Sequence, residues 1–533
     1  MSNKDALEMT TSKAVSQQDR EAGDVENVHL SEDVAVRFLA NLDPAIKELP
    51  ISAKEARKVL WKIDLIVLPI IAGTVILSAV DKVVISNAAI MGMKHDLNLV
   101  GNEYSWVGSI FYFGFLIFEY PQAILIQRLP VAKLFAACVL SWAVLLFCSA
   151  ATHNFAGLAA VRFIFGCAEA GAFPTASILT VMWYTNREQP VRVAIWYNQV
   201  RSSKSSAIRT PASDYEHQFS SVFSGIISYA ISQTHTHLAQ WRLLFIVLGG
   251  ITVLWSATVL AFLPNSPVST WWLSPRERYI AIRRVQKNNT GIEDKRVKWY
   301  QIKELLIDPK TYLLALFACA QNIPNGGLVT FSSIIVSGLG YSVPITTLLG
   351  MPTGVVATTW QIILVVFCAK LKNMRCTIIA VANIVPMICA ILMWQLPRDN
   401  QTGLLAAYYV FYTYWGSYVM STSVPMANVS GHTKKVTMNA IYFFSYCLGN
   451  IIGPQVFQKS DAPNYTKGYT GLLVCLVVSA VSISVYGLLC KRENARRDRL
   501  HGVVHTSAIM EENEALALSD MTDKEKIAFR YSY

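Results

Sequence analysis

Apolar runs of membrane length alternate with short polar stretches along most of the chain. Their edges fall at 61–90, 104–127, 133–152 and 156–184, then at a split fifth run, 192–199 with 219–233, and at 241–263. After a hydrophilic stretch they resume at 311–338, 345–369, 376–396, 403–426, 436–457 and 469–490. A helix of ~20 apolar residues crosses the hydrocarbon core, and it satisfies its own backbone there. The pattern therefore predicts an all-α polytopic membrane protein of twelve transmembrane helices in two six-helix halves, 61–263 and 311–490. Halves of this kind are related as repeats, with the substrate site between them near the bilayer midplane.

Composition agrees with this class. Of 533 residues, 53% are hydrophobic and 15% charged, a balance no soluble class matches. The formal net charge of +11 reads as positive-inside bias and does not call for a nucleic-acid partner. Arg128 with Lys133, Arg187 with Arg192, Lys370 with Lys372 and Arg375, and Lys434 with Lys435 all fall on one side. The central loop 264–310 lies there too, which places both termini in the cytoplasm. Residues 1–60 read as a disordered cytoplasmic tail with no signal-peptide core, and 491–533 as a second tail. Inside the central loop, Arg276–Lys287 reads as an amphipathic helix lying on the inner membrane face. The ten cysteines sit mostly in apolar runs without CxxC or metal spacing, so no disulfide framework, metal or cofactor is implied. No histidine lies within a predicted span, and there is no H-E-x-x-H, nucleophile elbow or P-loop, which argues against an enzyme and against an ATP-driven pump.

The charges inside the spans are the features to explain. The fourth run carries Arg162 and Glu169 in RFIFGCAEAG. Each is costly in lipid and must face protein or a polar cavity. Seven residues at ~100° each bring the two to nearly one helix face, roughly 10 Å apart along the axis, so a bound anion or a residue of another helix fits between them. The first run contains the adjacent pair Asp81 and Lys82. Neighbours on a helix point ~100° apart, so one can meet a ligand while the other pairs with a neighbouring helix. Glu119, before Pro121 in the second run, reads as the partner of Arg128 or Arg187.

The second half offers mostly neutral groups. In the seventh run, AQNIPNGGLVTFSS, residues Asn322, Pro324, Asn325, Gly326 and Gly327 predict a helix break that frees backbone groups at membrane depth, either as a ligand site or as a packing kink. Gln361 in the eighth run and Asn439, Tyr446 and Asn450 in the eleventh are further hydrogen-bonding candidates, with helix–helix bonding as the alternative for each. Charges in one half and neutral polar groups in the other suit a small organic anion. Its carboxylate would meet Lys82 and Arg162, and its amide or ring the opposite half. Arginine suits planar bidentate carboxylate binding, and Glu169 is placed to carry the proton.

Many stretches between Trp61 and Arg499 resemble the anion:cation symporter branch of the major facilitator superfamily, and within it the fungal allantoate permease family. They include DLIVLP, Asp81-Lys82 with Asn87-Ala88, EYPQAILIQRLPVAK, RFIFGCAEAGAFPTA, MWYTNREQPVR, LPNSP, NNTGIEDK, NIPNGGLVTF, MPTG and KRENARRD. The resemblance implies the major facilitator fold and proton-coupled uptake of small carboxylates or ureides across the plasma membrane. It also implies that Asp81, Lys82, Arg162 and Glu169 bind substrate and protons. Lys82 stands where an arginine is usual, which keeps the charge but loses the bidentate fork.

One segment breaks the pattern. Val200–Gln218, VRSSKSSAIRTPASDYEHQ, is polar and basic inside the fifth run. Joining Gln199 to Phe219 restores a continuous apolar helix, which points to a retained short intron, with a true insertion as the alternative. The reading is a monomeric, proton-coupled transporter of a small organic anion: allantoate or a related ureido acid first, then nicotinate or another vitamin-like monocarboxylate, then a short peptide. A non-transporting nutrient receptor on the same fold and a product disabled by the insertion are the rivals.

Overall fold

The computed structural model describes residues 41–185, 216–286, 297–501 and 520–533, with 38, 39, 188, 189 and 192 besides and without 235, 372, 463, 527 and 528. Helix α1 (Ala53–Ala88) opens on a capping box. The Ser52 hydroxyl accepts from the Lys54 amide at 3.3 Å, and the Glu55 carboxylate accepts from the Ser52 amide at 3.1 Å. The helix thus begins eight residues before the apolar run at 61. The stretch ahead of it is also ordered against the protein: carbonyls of Ile46, Leu49 and Pro50 accept from the Arg276 guanidinium, and Leu42 is buried. The expected disordered tail 1–60 is corrected to that extent. Past Ala88 the chain runs through a wide turn, Ala89–Met93, where Gly92 has φ +99°, a conformation glycine adopts without Cβ strain.

The remaining long helices are α2 (Glu103–Arg128), α3 (Val131–Ala150), α4 (Phe155–Trp183), α5 (Glu216–Ser232), α6 (Gln240–Phe262), α7 (Pro309–Ser337), α8 (Val343–Cys368), α9 (Arg375–Gln395), α11 (His432–Val456) and α12 (Thr466–His501), with α10 in three pieces, Gln401–Phe411, Tyr414–Ser421 and Ser423–Asn428. Among the described residues there is no strand. Eight of these helices are long and apolar enough to cross a membrane: α1–α4, α6, α8, α9 and α12. The other four include α7, α10 and α11, whose buried polar residues lower their apolarity. Helix α5 begins at Glu216, so three residues of the segment assigned to the insertion are helical, while 193–215 lie outside the described residues. Helices α1–α6 and α7–α12 form two halves that meet along α2 with α11, α1 with α7, and α5 with α8.

The break expected in the seventh run is not there. Helix α7 continues through Pro324 to Ser337. Its glycines serve close packing instead: a Cβ at Gly326 would overlap the Asn450 backbone, and one at Gly453 of α11 would overlap the Ile323 carbonyl.

The stretch leading into α1, the C-terminal residues and the central loop gather at one end of the bundle. The loop holds the helix Pro275–Gln286, close to the expected bounds, and a second helix, Trp299–Ile307, that periodicity did not suggest. Ion pairs tie the first loop helix to the N-terminal half: Lys62 to Glu277 at 2.6 Å, Arg284 to Glu188 at 2.8 Å, with Arg192 to Asp64 at 2.7 Å beside them. Burial pushes the Glu188 carboxyl up, but the Thr185 amide and Arg284 outweigh it and hold it below the usual carboxylate range.

The C-terminal segment, expected only as a tail, is folded where it is described. Helix α12 reaches His501, and residues 520–533 return to the C-terminal half as a strap. Asp523 pairs with buried Lys434 at 2.6 Å and accepts from the Tyr531 hydroxyl at 2.6 Å. Arg497 donates to the carbonyls of Asp523 and Phe529, Asn428 donates to the Ser532 carbonyl, and the Arg375 amide donates to the Tyr533 carbonyl.

Candidate functional site

The four intramembrane charges converge between α1, α2 and α4. Small residues make this possible. Gly114 of α2 and Gly166 of α4 face the carbonyls of Phe163 and Phe111 so closely that a Cβ on either glycine would overlap them. That approach sets Phe111 against Arg162, whose guanidinium lies 5.1 Å from the Phe111 ring and 5.6 Å from Phe165. The Lys82 ammonium lies 5.7 Å from Phe111 and Phe115 and 5.5 Å from Phe173. Both cations therefore lie within cation–π range of the Phe111 ring.

Lys82 reaches across to α4 and pairs with Glu169 Oε1 at 2.6 Å. The Ser78 hydroxyl, one turn earlier on α1, donates to the same oxygen. Glu169 is fully buried, and its other oxygen, Oε2, has no hydrogen-bond partner. Asp81 is fully buried as well, and neither of its carboxyl oxygens has one. Arg162 is 4% exposed; its Nε has no hydrogen-bond acceptor, and it makes no ion pair within 4 Å among the described residues. The gap expected between Arg162 and Glu169 is thus entered by a residue of another helix, Lys82. Buried polar atoms are rarely left unmatched, so three orphaned carboxyl oxygens beside two cations single this cluster out as the candidate site.

The neutral candidates spread out. Asn325 and Asn450 meet across α7 and α11, with Asn325 Nδ2 donating to Asn450 Oδ1 at 2.8 Å and the Tyr414 hydroxyl donating to Asn325 Oδ1 at 3.2 Å. Asn450 also donates to the Tyr446 carbonyl. Tyr446 lies at the boundary of the halves, 5.9 Å from the Tyr418 ring and 6.3 Å from Tyr112. Asn322 is buried and donates back to the Ala318 carbonyl of its own helix. Gln361 is buried on α8 beside α10, where Gly416 approaches its Cα. Asn439 is exposed on α11, pointing away from the interior. Glu119 is half-buried; its expected ion pair with Arg128 is not made, and Arg187 lies outside the described residues.

A cavity of about 90 Å³ opens between the halves. It is lined by α1, α5, α7, the α8 region and α10, and it includes Asn87, Ser224, Asn325, Ser333 and Tyr412. Most of this lining escaped the sequence reading. Serines at helical spacing, Ser221, Ser224 and Ser228, were the available signal, but isolated hydroxyls are ordinary in spans.

The sequence profile described as Major Facilitator Superfamily matches residues 71–454. The chain belongs to the major facilitator superfamily. Members of the superfamily resemble it over nearly their whole length. The MFS-type transporter cnsL of Penicillium expansum is 35% identical over 94% of this chain and 93% of its own. The allantoate permease of Saccharomyces cerevisiae is 32% identical over 99% of this chain and 97% of its own. Among solved structures, a bacterial homologue of the human lysosomal transporter Spinster, inward-facing and unoccupied, aligns with TM-score 0.58 at 14% identity over 82% of this chain and 97% of that one. The D-xylose-proton symporter aligns with TM-score 0.57 at 14% identity over 78% and 96%. The expected major facilitator fold is borne out, and relatives and fold alike are those of membrane transporters, not enzymes.

Proposed function

We propose that this protein is a proton-coupled importer of a small organic anion at the plasma membrane, with allantoate or a related ureido acid as its substrate and both termini in the cytoplasm. The observation that carries the reading is the buried set Asp81, Lys82, Arg162 and Glu169, with Lys82 held by Glu169 at 2.6 Å. Two cations against two carboxylates sum to no net charge if both acids are ionised. An arriving substrate carboxylate competes with Glu169 for Lys82 and adds a negative charge. Burial of an unmatched charge is strongly unfavourable, so proton uptake by Glu169 or Asp81 restores the balance. Binding of anion and proton then favour each other, and each is released when the other leaves. Arg162, in no ion pair among the described residues, supplies the fork for the substrate carboxylate. The similarity to the yeast allantoate permease supports the substrate class.

Hydrogen bonds between the halves gather at the end opposite the termini. The Tyr104 hydroxyl donates to the Thr330 carbonyl at 2.5 Å, Ser109 to the Ile451 carbonyl at 2.7 Å, and Ser333 to Asn87 Oδ1 at 2.6 Å. With the termini cytoplasmic, this form is closed to the outside. The deciding experiment is uptake of radiolabelled allantoate, with nicotinate in parallel, by a transport-deficient yeast expressing the chain. Saturable allantoate uptake that collapses with a protonophore is expected. Nicotinate uptake alone would move the substrate to the vitamin-like acids. Binding without uptake would favour the receptor.

A further inference from the structure

The inward face of α2 is a single stripe. Phe111, Phe115, Gln122 and Ile126 on it are buried, and spacings of three and four residues put Glu119 among them. Phe115 faces the Lys82 ammonium. Gln122 reaches α4 at Gly171, two residues past Glu169, where a Cβ would overlap its side chain. Glu119 therefore lies between two turns of α2 that meet α1 and α4 at the charged cluster, ~6 Å beyond Phe115 on the side of Arg128. Past Arg128 the chain meets the central loop, with the Lys133 amide donating to Asn265 Oδ1 at 3.4 Å. In the orientation proposed above, that side is the cytoplasmic one.

Glu119 is only half-buried, although Phe115 and Gln122 on either side of it are covered. Its Oε2 is nevertheless buried and has no hydrogen-bond partner. The ionisable groups around this turn are Lys82, Glu169, Cys138 and Cys447. Lys82 and Glu169 hold each other, Cys138 accepts from Gln122 at 3.1 Å, and Cys447 of α11 lies within electrostatic reach of both Lys82 and Glu119. None of the four makes a hydrogen bond or an ion pair with Glu119 among the described residues. An intramembrane carboxyl group without a partner is costly and marks a functional position by default. Half inside and half wetted, on the cytoplasmic side of the cluster, this one is placed to pass a proton.

We propose that Glu119 is the proton carrier after Glu169, a positioning residue that takes the proton released there and hands it to the cytoplasm. The proposal rests on the proton-coupled reading above and extends it to the release step. Once the substrate anion has left, Lys82 is free to reclaim Glu169. The O–H bond on Glu169 breaks, water carries the proton along α2, and an O–H bond forms on the Glu119 carboxylate. That bond then breaks in turn as cytoplasmic water takes the proton. Glu169 is left in its ion pair with Lys82, and Glu119 is left as a carboxylate. Net uptake needs this step in every cycle. Exchange of one anion for another does not, because the protein can return with the proton still on Glu169.

The two fluxes are measured in right-side-out plasma-membrane vesicles from transport-deficient yeast expressing the full chain. Net uptake of radiolabelled allantoate is driven by an inward proton gradient, and exchange is measured against unlabelled allantoate inside without a gradient. Glu119→Gln should lower net uptake about a hundredfold, the weight of a positioned acid–base group, while exchange stays close to that of the parent. Glu119→Asp, which keeps a carboxyl group, should restore most of the net uptake. Equal loss of both fluxes in Glu119→Gln, or net uptake unchanged, overturns the relay and leaves proton coupling standing. A parent that shows exchange but no gradient-driven uptake overturns proton coupling and the relay together. Should Glu119→Gln not reach the membrane, Glu119→Met carries the same comparison.

Discussion

Lys82 and Glu169 hold one another inside a wall of phenylalanines, and the value of that contact is measurable. Removing one partner of a buried ion pair typically costs about 3–5 kcal/mol because the other charge is stranded, whereas replacing both is close to neutral. Lys82→Met should therefore lower thermal stability in detergent markedly. Lys82→Met combined with Glu169→Gln should recover most of that loss yet remain without uptake. Recovery of transport in the double variant would show that the pair is structural only. Glu169→Gln alone should keep allantoate binding but lose the pH dependence of uptake, as read from initial rates between pH 5 and pH 7.5. Arg162 and Glu169 were visible as candidates because a full charge in an apolar run has few bland explanations. The Lys82–Glu169 contact itself was not, since it depends on how α1 crosses α4. Likewise, Asn322 and Asn439 looked as promising as Asn325 in the sequence. Only the helix faces, set by packing, turn one back on its own helix and the other outward.

At the scale of elements, the same residue types were read in two ways. Proline and two glycines in α7 suggested a break, but the glycines exist to let α11 approach, and a packing partner cannot be inferred from one helix alone. The C-terminal strap was hidden for a related reason. Residues 520–533 have neither periodicity nor apolarity, and they are held by polar contacts to groups from 26 to 222 residues distant, such as Asp523 to Arg497 and to Lys434. Burial pushes the Asp523 carboxyl up, but Lys434 and the Tyr531 hydroxyl outweigh it and hold it below its ordinary value. A depressed carboxylate stabilises docking above its unfolded value, ~3.9, and the contribution is lost as pH falls through the still lower folded value. Docking should accordingly be indifferent to pH between about 6 and 7.5 and weaken only below about pH 4, as followed by proteolytic release of the C-terminus. Asp523→Asn should free the strap at neutral pH, leaving Lys434 with Glu304, to which it is also paired at 2.6 Å. An undiminished protection in that variant would mean that the backbone contacts suffice.

For the whole molecule, the pattern of twelve apolar runs was enough to read an all-helical bundle with two halves, because hydrophobic length is a local property and the bilayer sets it. Which end of the bundle is shut was not legible, because closure depends on hydroxyls that meet only when the halves do. Tyr104, Ser109, Ser86 and Ser333 are unremarkable in their own helices. Together they bond α1 and α2 to α7 and α11 at the end away from the termini. The alternative state of a transporter must break these bonds, so they weigh on its conformational equilibrium. A typical intramolecular hydrogen bond contributes about 1 kcal/mol net. Tyr104→Phe with Ser333→Ala removes two of them, about 2 kcal/mol, which is roughly thirtyfold in an equilibrium constant. The double variant should then expose the cavity from the face opposite the termini. A cysteine placed there, at Ser332, should react with a membrane-impermeant maleimide many times faster in the variant than in the parent, and excess substrate should protect it. The ten native cysteines supply the background rate, measured in the same protein without the Ser332 replacement. If labelling rises from that face, these hydroxyls hold the gate. If it is unchanged while Tyr104→Phe lowers stability, the contacts join the halves in every state, and the gate must be sought among the aromatic contacts of α2 with α11, where Phe115 and Phe443 lie 5.6 Å apart.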